Sequence, residues 1–292
     1  MTFFYSVFLG IVQGITEFLP VSSSGHLALF QNLFGIESNT NLLFDIMLHI
    51  GTLVAVFVVF RKDILRMFVE ILRIIMDIVS NIKIFLHNHK EKDAKRYHKI
   101  IHNNYRKFVV MILVSSIPTA IIGMAARELV GMASLTLLIP GVCLILNGGL
   151  LLVADAAEAG NKIPKDASYT SAFMVGIAQG VSTLPGLSRS GMTISACILC
   201  GYDKRFAVKY SFIMSIPAII GAAILEIPEI AGSSVTLLQF VSYAVGAAVA
   251  GLAGYVCIKK MIRIVRKRRF RGFSVYCFIM GIISIAGYLF LR

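Results

Sequence analysis

The sequence predicts an all-α integral membrane protein with an inverted-topology internal repeat, about six transmembrane helices and two re-entrant helical hairpins. Three observations carry that prediction. The 292-residue chain is 57% hydrophobic and only 15% charged, with a mean hydropathy of +0.82, well above soluble composition. Six apolar runs come close to the roughly 20 residues that cross a bilayer. A polar stretch rich in glycine and serine occurs twice, at corresponding places in the two halves. The whole chain, 1–292, reads as a single membrane domain. Repeat 1 covers about 1–130, including a basic cytoplasmic segment at 61–107, and repeat 2 covers about 165–292.

The first element is GIVQGITEFLPVSSSGH, Gly10 to His26, which places Glu17, a proline, three serines and a histidine where lipid would require an unbroken apolar helix. The residues before it, Met1-Thr2-Phe3-Phe4, lack the basic flank and small-residue cleavage site of a secretory signal, so the stretch is expected to belong to the mature protein. Spans follow at about 42–60, 106–126, 134–154, 207–227, 236–258 and 272–291.

Between the first two spans, DILRMFVEILRIIMDIVSNIKIFL keeps apolar residues at helical spacing with charges between them, the pattern of an interfacial or partly buried helix. The HNHKEKDAKRYHKIIHNN that follows reads as a solvated loop, since its histidines share no regular face and no cysteine accompanies them. A second basic run, KKMIRIVRKRRFR at Lys259–Arg271, contains no acid.

The net charge of +13 sits mostly in these two segments beside spans, so the positive-inside rule puts both in the cytoplasm. Neither offers a nucleic-acid motif, and anionic lipid headgroups are the expected partner. The five cysteines lie within apolar runs and are read as packing residues. Cys197 and Cys200 have metal-pair spacing but lack a second pair. Asp155, Glu158 and Asp166 read as a solvated acidic loop.

The second polar stretch, GIAQGVSTLPGLSRSGMT at Gly176–Thr193, repeats the first: Gly10, Gln13, Gly14, Ser24 and Gly25 match Gly176, Gln179, Gly180, Ser190 and Gly191. At the same offset FDIMLHIGTLVA (Phe44–Ala55) matches YSFIMSIPAIIG (Tyr210–Gly221). If each polar stretch enters and leaves on one side, three spans separate the copies and the second is inverted. Both termini then lie outside, as do the weakly basic connections ESNT, RELVGMA and PEIAGSSV. Hairpin one opens outside and hairpin two inside.

The copies are chemically unequal. The first supplies Glu17 and His26, and the second supplies Arg189 between Ser188 and Ser190, next to Gly191 and a helix start. A cation among hydroxyls at a helix N-terminus suits phosphate oxygens. Glu17 at membrane depth is costly unless it is paired, so it is either functional or an ion-pair partner of Arg189. Asp45 and His49, one turn apart on the next helix, are either supporting partners of the site or a hydrogen-bonded pair with no role in it.

QGITEFLPVSSSGH together with LPGLSRSGMT closely resembles the undecaprenyl-diphosphate phosphatase family of the bacitracin-resistance type, across essentially the whole chain. Gln13 is the variant the family permits where it also uses Glu, and Glu17 is the retained acid. The resemblance implies hydrolysis of undecaprenyl diphosphate to the monophosphate and inorganic phosphate. That reaction recycles the lipid carrier for peptidoglycan synthesis, confers bacitracin resistance, needs a divalent cation (magnesium or calcium) and acts mainly at the outer face of the bacterial plasma membrane. It implies Ser23 as the nucleophile, an assignment that residue chemistry alone leaves open among Ser22, Ser23 and Ser24, with an activated water as the alternative.

On this reading Glu17 binds the cation, with Gln13 adding an oxygen, positioning a water or serving helix–helix packing alone. His26 either moves protons or is a histidine satisfied by a backbone carbonyl, and Arg189 holds the diphosphate. Ser22, Ser24, Gly25, Ser188, Ser190, Gly191 and Thr193 bind substrate. The expected partners are a polyprenyl diphosphate and anionic lipids, with no nucleic acid; a homodimer stays open. An inverted-repeat transporter or lipid-carrier flippase would share the scaffold. A phosphatidic-acid-phosphatase-type enzyme ranks lower, because its Lys/Arg–Pro motif and its second histidine after Ser-Arg are not evident.

Overall fold

The computed structural model describes residues 3–33, 42–91, 93–158, 160–230, 235–266 and 270–290. The connection ESNT, with Asn39, lies outside them, as do Ser233 and Arg268. Among the described residues the chain forms twelve helices and no strand beyond an isolated bridge between Lys162 and Tyr202. The first group is α1 (Phe3–Thr16), α2 (Ser23–Leu33), α3 (Leu42–Val59), α4 (Arg61–Lys90) and α5 (Asn104–Ala125). Then come α6 (Arg127–Ser134) and α7 (Leu138–Ala156). The second group is α8 (Tyr169–Val181), α9 (Arg189–Leu199), α10 (Lys204–Ile230), α11 (Leu237–Arg266) and α12 (Arg271–Phe290).

Six of these helices, α3, α5, α7, α10, α11 and α12, are long and apolar enough to cross a membrane, and they coincide with the six expected spans. The protein is a multi-pass membrane protein. Two details differ from the sequence reading. RELVGMA, read only as a weakly basic connection, forms the short helix α6. The fifth span does not end near 258, because α11 continues through the basic run to Arg266, whose unbranched Lys and Arg side chains favour helix.

The order helix–break–helix–long helix occurs twice, as α1–α2–α3 and α8–α9–α10, with α4 inserted only in the first half. The packing follows the duplication. α1 lies along α11 and α8 along α5, while α7 packs on α12 and α3 on α10. Small residues permit these close approaches: a Cβ on Gly51 of α3 would overlap the Ala247 carbonyl oxygen of α11. Tight backbone contact of this kind supplies dispersion where lipid offers no hydrophobic drive.

α4 buries only Met67 and Glu70 and exposes Leu65, Phe68, Leu72, Ile75, Phe85 and others, so its apolar surface is not consumed by the fold. Its base is fixed through the buried Arg106 of α5, which donates to Glu70 Oε2 at 2.8 Å and to Asp77. The polar segment after α4 is exposed and pinned to it: Asn81 and Asn88 exchange hydrogen bonds with the backbone of His98 and Lys95. Asp155 is more than a loop residue, because its Oδ1 accepts the Phe270 N–H at 3.0 Å and ties the end of α7 to the start of α12.

Candidate active site

Both helix breaks are built alike. α1 ends at Thr16, the chain turns through Pro20, and α2 starts after Ser22, whose Oγ accepts the Gly25 N–H at 3.2 Å. In the second copy Ser188 caps α9 by accepting the Gly191 N–H at 3.1 Å. A serine oxygen that satisfies a first-turn N–H explains why both motifs carry a serine immediately before the helix. Each cap also pairs with the serine two residues on, Ser22 with Ser24 at 3.3 Å and Ser188 with Ser190 at 3.1 Å. Ser22 has φ +70°, a left-handed conformation that costs a non-glycine residue about 1–2 kcal/mol.

The two breaks meet. A Cβ on Gly25 would come 3.2 Å from Gly186 Cα, and Gly186 itself has φ +94°. Ser190 Oγ donates to the Leu19 carbonyl at 3.1 Å, and Asn147 of α7 donates to the Pro20 carbonyl at 3.0 Å. The irregular backbone of the first break is thus satisfied within the protein, the condition for non-helical chain at membrane depth.

At this junction Glu17 is buried, 5% exposed at its side chain, and collects four partners. Arg189 Nη2 pairs with its Oε1. Ser23 Oγ donates to Oε2 at 2.6 Å and Gln13 Nε2 to the same oxygen at 3.0 Å. His49 Nε2 stands 3.9 Å from Oε2, with its Nδ1 donating to the Asp45 carbonyl at 2.8 Å and its side chain 38% exposed. Ser23 and Arg189 occupy equivalent positions of the two copies, each one residue past a capping serine. Both converge on Glu17, whose counterpart in the second copy is Thr183. Arg189 Nη1 and Gln13 Oε1 are buried without a hydrogen-bond partner.

The structure therefore brings Gln13, Glu17, Ser23 and Arg189 together. His26 is held elsewhere: its Nδ1 meets the Ser22 carbonyl at 2.7 Å and its Nε2 the Tyr276 hydroxyl at 2.6 Å, with the two rings stacked at 5.6 Å. Thr193 turns toward α10, its hydroxyl 2.6 Å from Ser211. Gly191 packs against Asn147 and Pro20, where a side chain would collide. Of the two readings of Asp45 and His49, the structure takes His49 to the carboxylate, and Asp45 serves it through its main chain. Sequence reading missed Tyr276 and Asn147. Both lie in apolar helices far along the chain, and only their polar character within those helices marked them.

The profile of the bacitracin resistance protein BacA family matches residues 6–283. The chain belongs to this family. Among curated relatives of this family member, the undecaprenyl-diphosphatase of Alkaliphilus metalliredigens is 36% identical over 98% of both chains. That of Methanosphaera stadtmanae is 38% identical over 96% of both. That of Desulfosudis oleivorans is 39% identical, again over 96% of both.

Proposed function

We propose that this BacA-family chain hydrolyses undecaprenyl diphosphate to undecaprenyl phosphate and inorganic phosphate at the Glu17–Ser23–Arg189 junction, recycling the lipid carrier for cell-wall synthesis and conferring bacitracin resistance. Membership of the family and nearly full-length relatives named for this activity support the substrate. One structural observation carries the site: Arg189 commits Nη2 to Glu17 and keeps Nη1 buried without an acceptor. A guanidinium nitrogen desolvated in this way is stabilised by an anionic oxygen, and a phosphate supplies one.

Ser23 Oγ attacks the terminal phosphorus as its proton passes to Glu17 Oε2, to which it is already hydrogen-bonded. The bond from that phosphorus to the bridging oxygen breaks, and undecaprenyl phosphate leaves with the proton that Glu17 took from Ser23. Water then hydrolyses the seryl phosphate and restores Ser23. Arg189 neutralises the oxygens of the transferring group throughout. Ser22 and Ser188 act as caps that set the two helix starts, while Ser24 and Ser190 brace them.

The donor set fits a hard divalent cation, magnesium or calcium. Gln13 Oε1 is buried and unpartnered beside the Glu17 carboxylate, and such ions need only one or two protein oxygens when phosphate and water complete the shell. Gln13 and Glu17 would hold it, and it would neutralise charge on the diphosphate. The positive-inside rule supports both termini outside and both basic segments inside. It also suits α4 lying on the inner surface with anionic lipids along its Lys and Arg side chains.

Purified protein in detergent, given undecaprenyl diphosphate, is expected to release inorganic phosphate and to stop on chelation. Absence of release would overturn the enzyme reading and favour a carrier. In a cysteine-free background, cysteines at Asn39 and Ser233 should label from outside intact cells and ones at Asn88 and Arg268 should not; the reverse pattern would refute the orientation.

A further inference from the structure

α3 and α10 are counterparts in the two copies and run against each other, yet their seam is unequal along its length. At one end it is filled. Phe212 of α10 packs 6.3 Å from Phe60 and 5.3 Å from Phe18, and Val56, Phe60 and Phe212 are all buried. At the other end, between the start of α3 and the end of α10, the helices leave a cavity of about 520 Å³. Leu43, Ile46, Ile50 and Leu53 line one wall, with Ile220 and Ala223 among the residues of the other. Every lining side chain is aliphatic, and the size is that of a small-ligand pocket, typically about 300–1,000 Å³.

Both walls of the cavity run on helices that also carry residues bordering the site. On α3, His49 lies on the edge of the face that carries Ile46, Ile50 and Leu53, since positions three before and four after fall within about 60° on a helix. Its Nε2 reaches Glu17. On α10, Ile219 stands one turn beyond Ser215 and two beyond Ser211, the partner of Thr193 on α9. The groove therefore lies beside the helix faces that lead to the polar junction, at the end of the seam bounded by residues 42 and 230.

We propose that this groove seats the isoprenoid chain next to the diphosphate of the substrate. The inference rests on the diphosphatase reading and extends it. A branched polyprenyl chain matches aliphatic walls without polar atoms, and a diphosphate on Arg189 leaves its lipid end at the groove's mouth. Because the opposite end of the seam is closed by Phe18, Phe60 and Phe212, the chain enters from one leaflet only, the one facing the start of α3.

A photoreactive benzophenone amino acid at Ile220 tests this, with Leu252, 71% exposed on α11, as the control position. On irradiation with radiolabelled undecaprenyl diphosphate, Ile220 should crosslink to the lipid, farnesyl diphosphate should compete, and Leu252 should give at least tenfold less adduct. Equal, uncompeted adducts at both positions would show bulk lipid in the groove, and a protein–protein adduct at Ile220 would show a second copy there; either overturns the proposal. In parallel, Ala223→Phe should raise KM for undecaprenyl diphosphate at least fivefold with kcat within twofold, and an unchanged KM in folded protein would also overturn it. Failure of the underlying diphosphatase reading shows separately, as absence of phosphate release from the unsubstituted protein.

Discussion

Three adjacent serines that the sequence presents as near equivalents have different partners in the fold, and their alanine variants should separate. Ser23 alone reaches Glu17, at 2.6 Å. Ser23→Ala removes the attacking oxygen and the proton path together, so kcat should fall by about 10²–10⁴, equivalent to about 3–5 kcal/mol of transition-state stabilisation. Its stability should change little, since Glu17 keeps Arg189 and Gln13. Ser22→Ala loses the cap on α2 and retains the left-handed backbone, lowering stability by about 1 kcal/mol, the usual value of such a cap. Ser22→Gly should be milder, because glycine adopts positive φ without cost. Ser24→Ala breaks one neutral hydrogen bond at 3.3 Å, about 1 kcal/mol, and turnover should stay within about tenfold. Phosphate release and thermal unfolding would be measured on the same detergent-purified variants. If Ser24→Ala matched Ser23→Ala in lost turnover, or if Ser23→Ala kept near-normal kcat, the assignment of the nucleophile would be refuted.

Other variants probe the surroundings. Arg189→Lys keeps the charge but loses the planar fork that reaches Glu17 with one nitrogen and leaves another for phosphate, so KM should rise and kcat fall together in steady-state assays. Gly51→Ala should separate α3 from α11 and lower stability by about 1–3 kcal/mol, read as a lower midpoint in thermal unfolding. The Arg106 guanidinium holds the Glu70 carboxyl below its usual value of 4.5, so its contribution to stability is fully present above that value and disappears as pH falls through the depressed one. Glu70→Gln should therefore flatten the acid limb of a stability–pH profile below pH 4.5 and leave the neutral limb lower but parallel.

The spans were legible because lipid imposes a length and a composition that few other environments do, and the six runs read from hydropathy coincide with six helices. The recurrence of the two polar stretches was legible because the same residues do the same work in each: Ser22 and Ser188 cap, and Gly25 approaches Gly186 as Gly191 approaches Pro20. The convergence of Ser23 and Arg189 on one carboxylate was only partly legible. The sequence marks Glu17 and Arg189 as costly in a membrane, but their meeting across 172 residues of chain depends on how the two breaks are packed. The partners of His26 were not legible. Its hydrogen bond to Tyr276 spans 250 residues and involves a tyrosine that any apolar helix could carry. The helix α6 escaped notice because eight residues with a glycine inside give too short a periodic signal.

The central claim is that Glu17 and Arg189 form a catalytic junction and not merely an ion pair that holds two helix breaks together. Phosphate release and undecaprenyl diphosphate binding measured side by side on folded Glu17→Gln and Arg189→Ala test it most directly. Glutamine preserves the size of Glu17 and can still accept from Ser23, but it carries no charge to take the proton, so Glu17→Gln should bind substrate and turn over at least about 100-fold more slowly. Arg189→Ala should lose both affinity and turnover. Near-normal phosphate release in both folded variants would contradict the account and leave the junction a structural pair within a carrier-like scaffold.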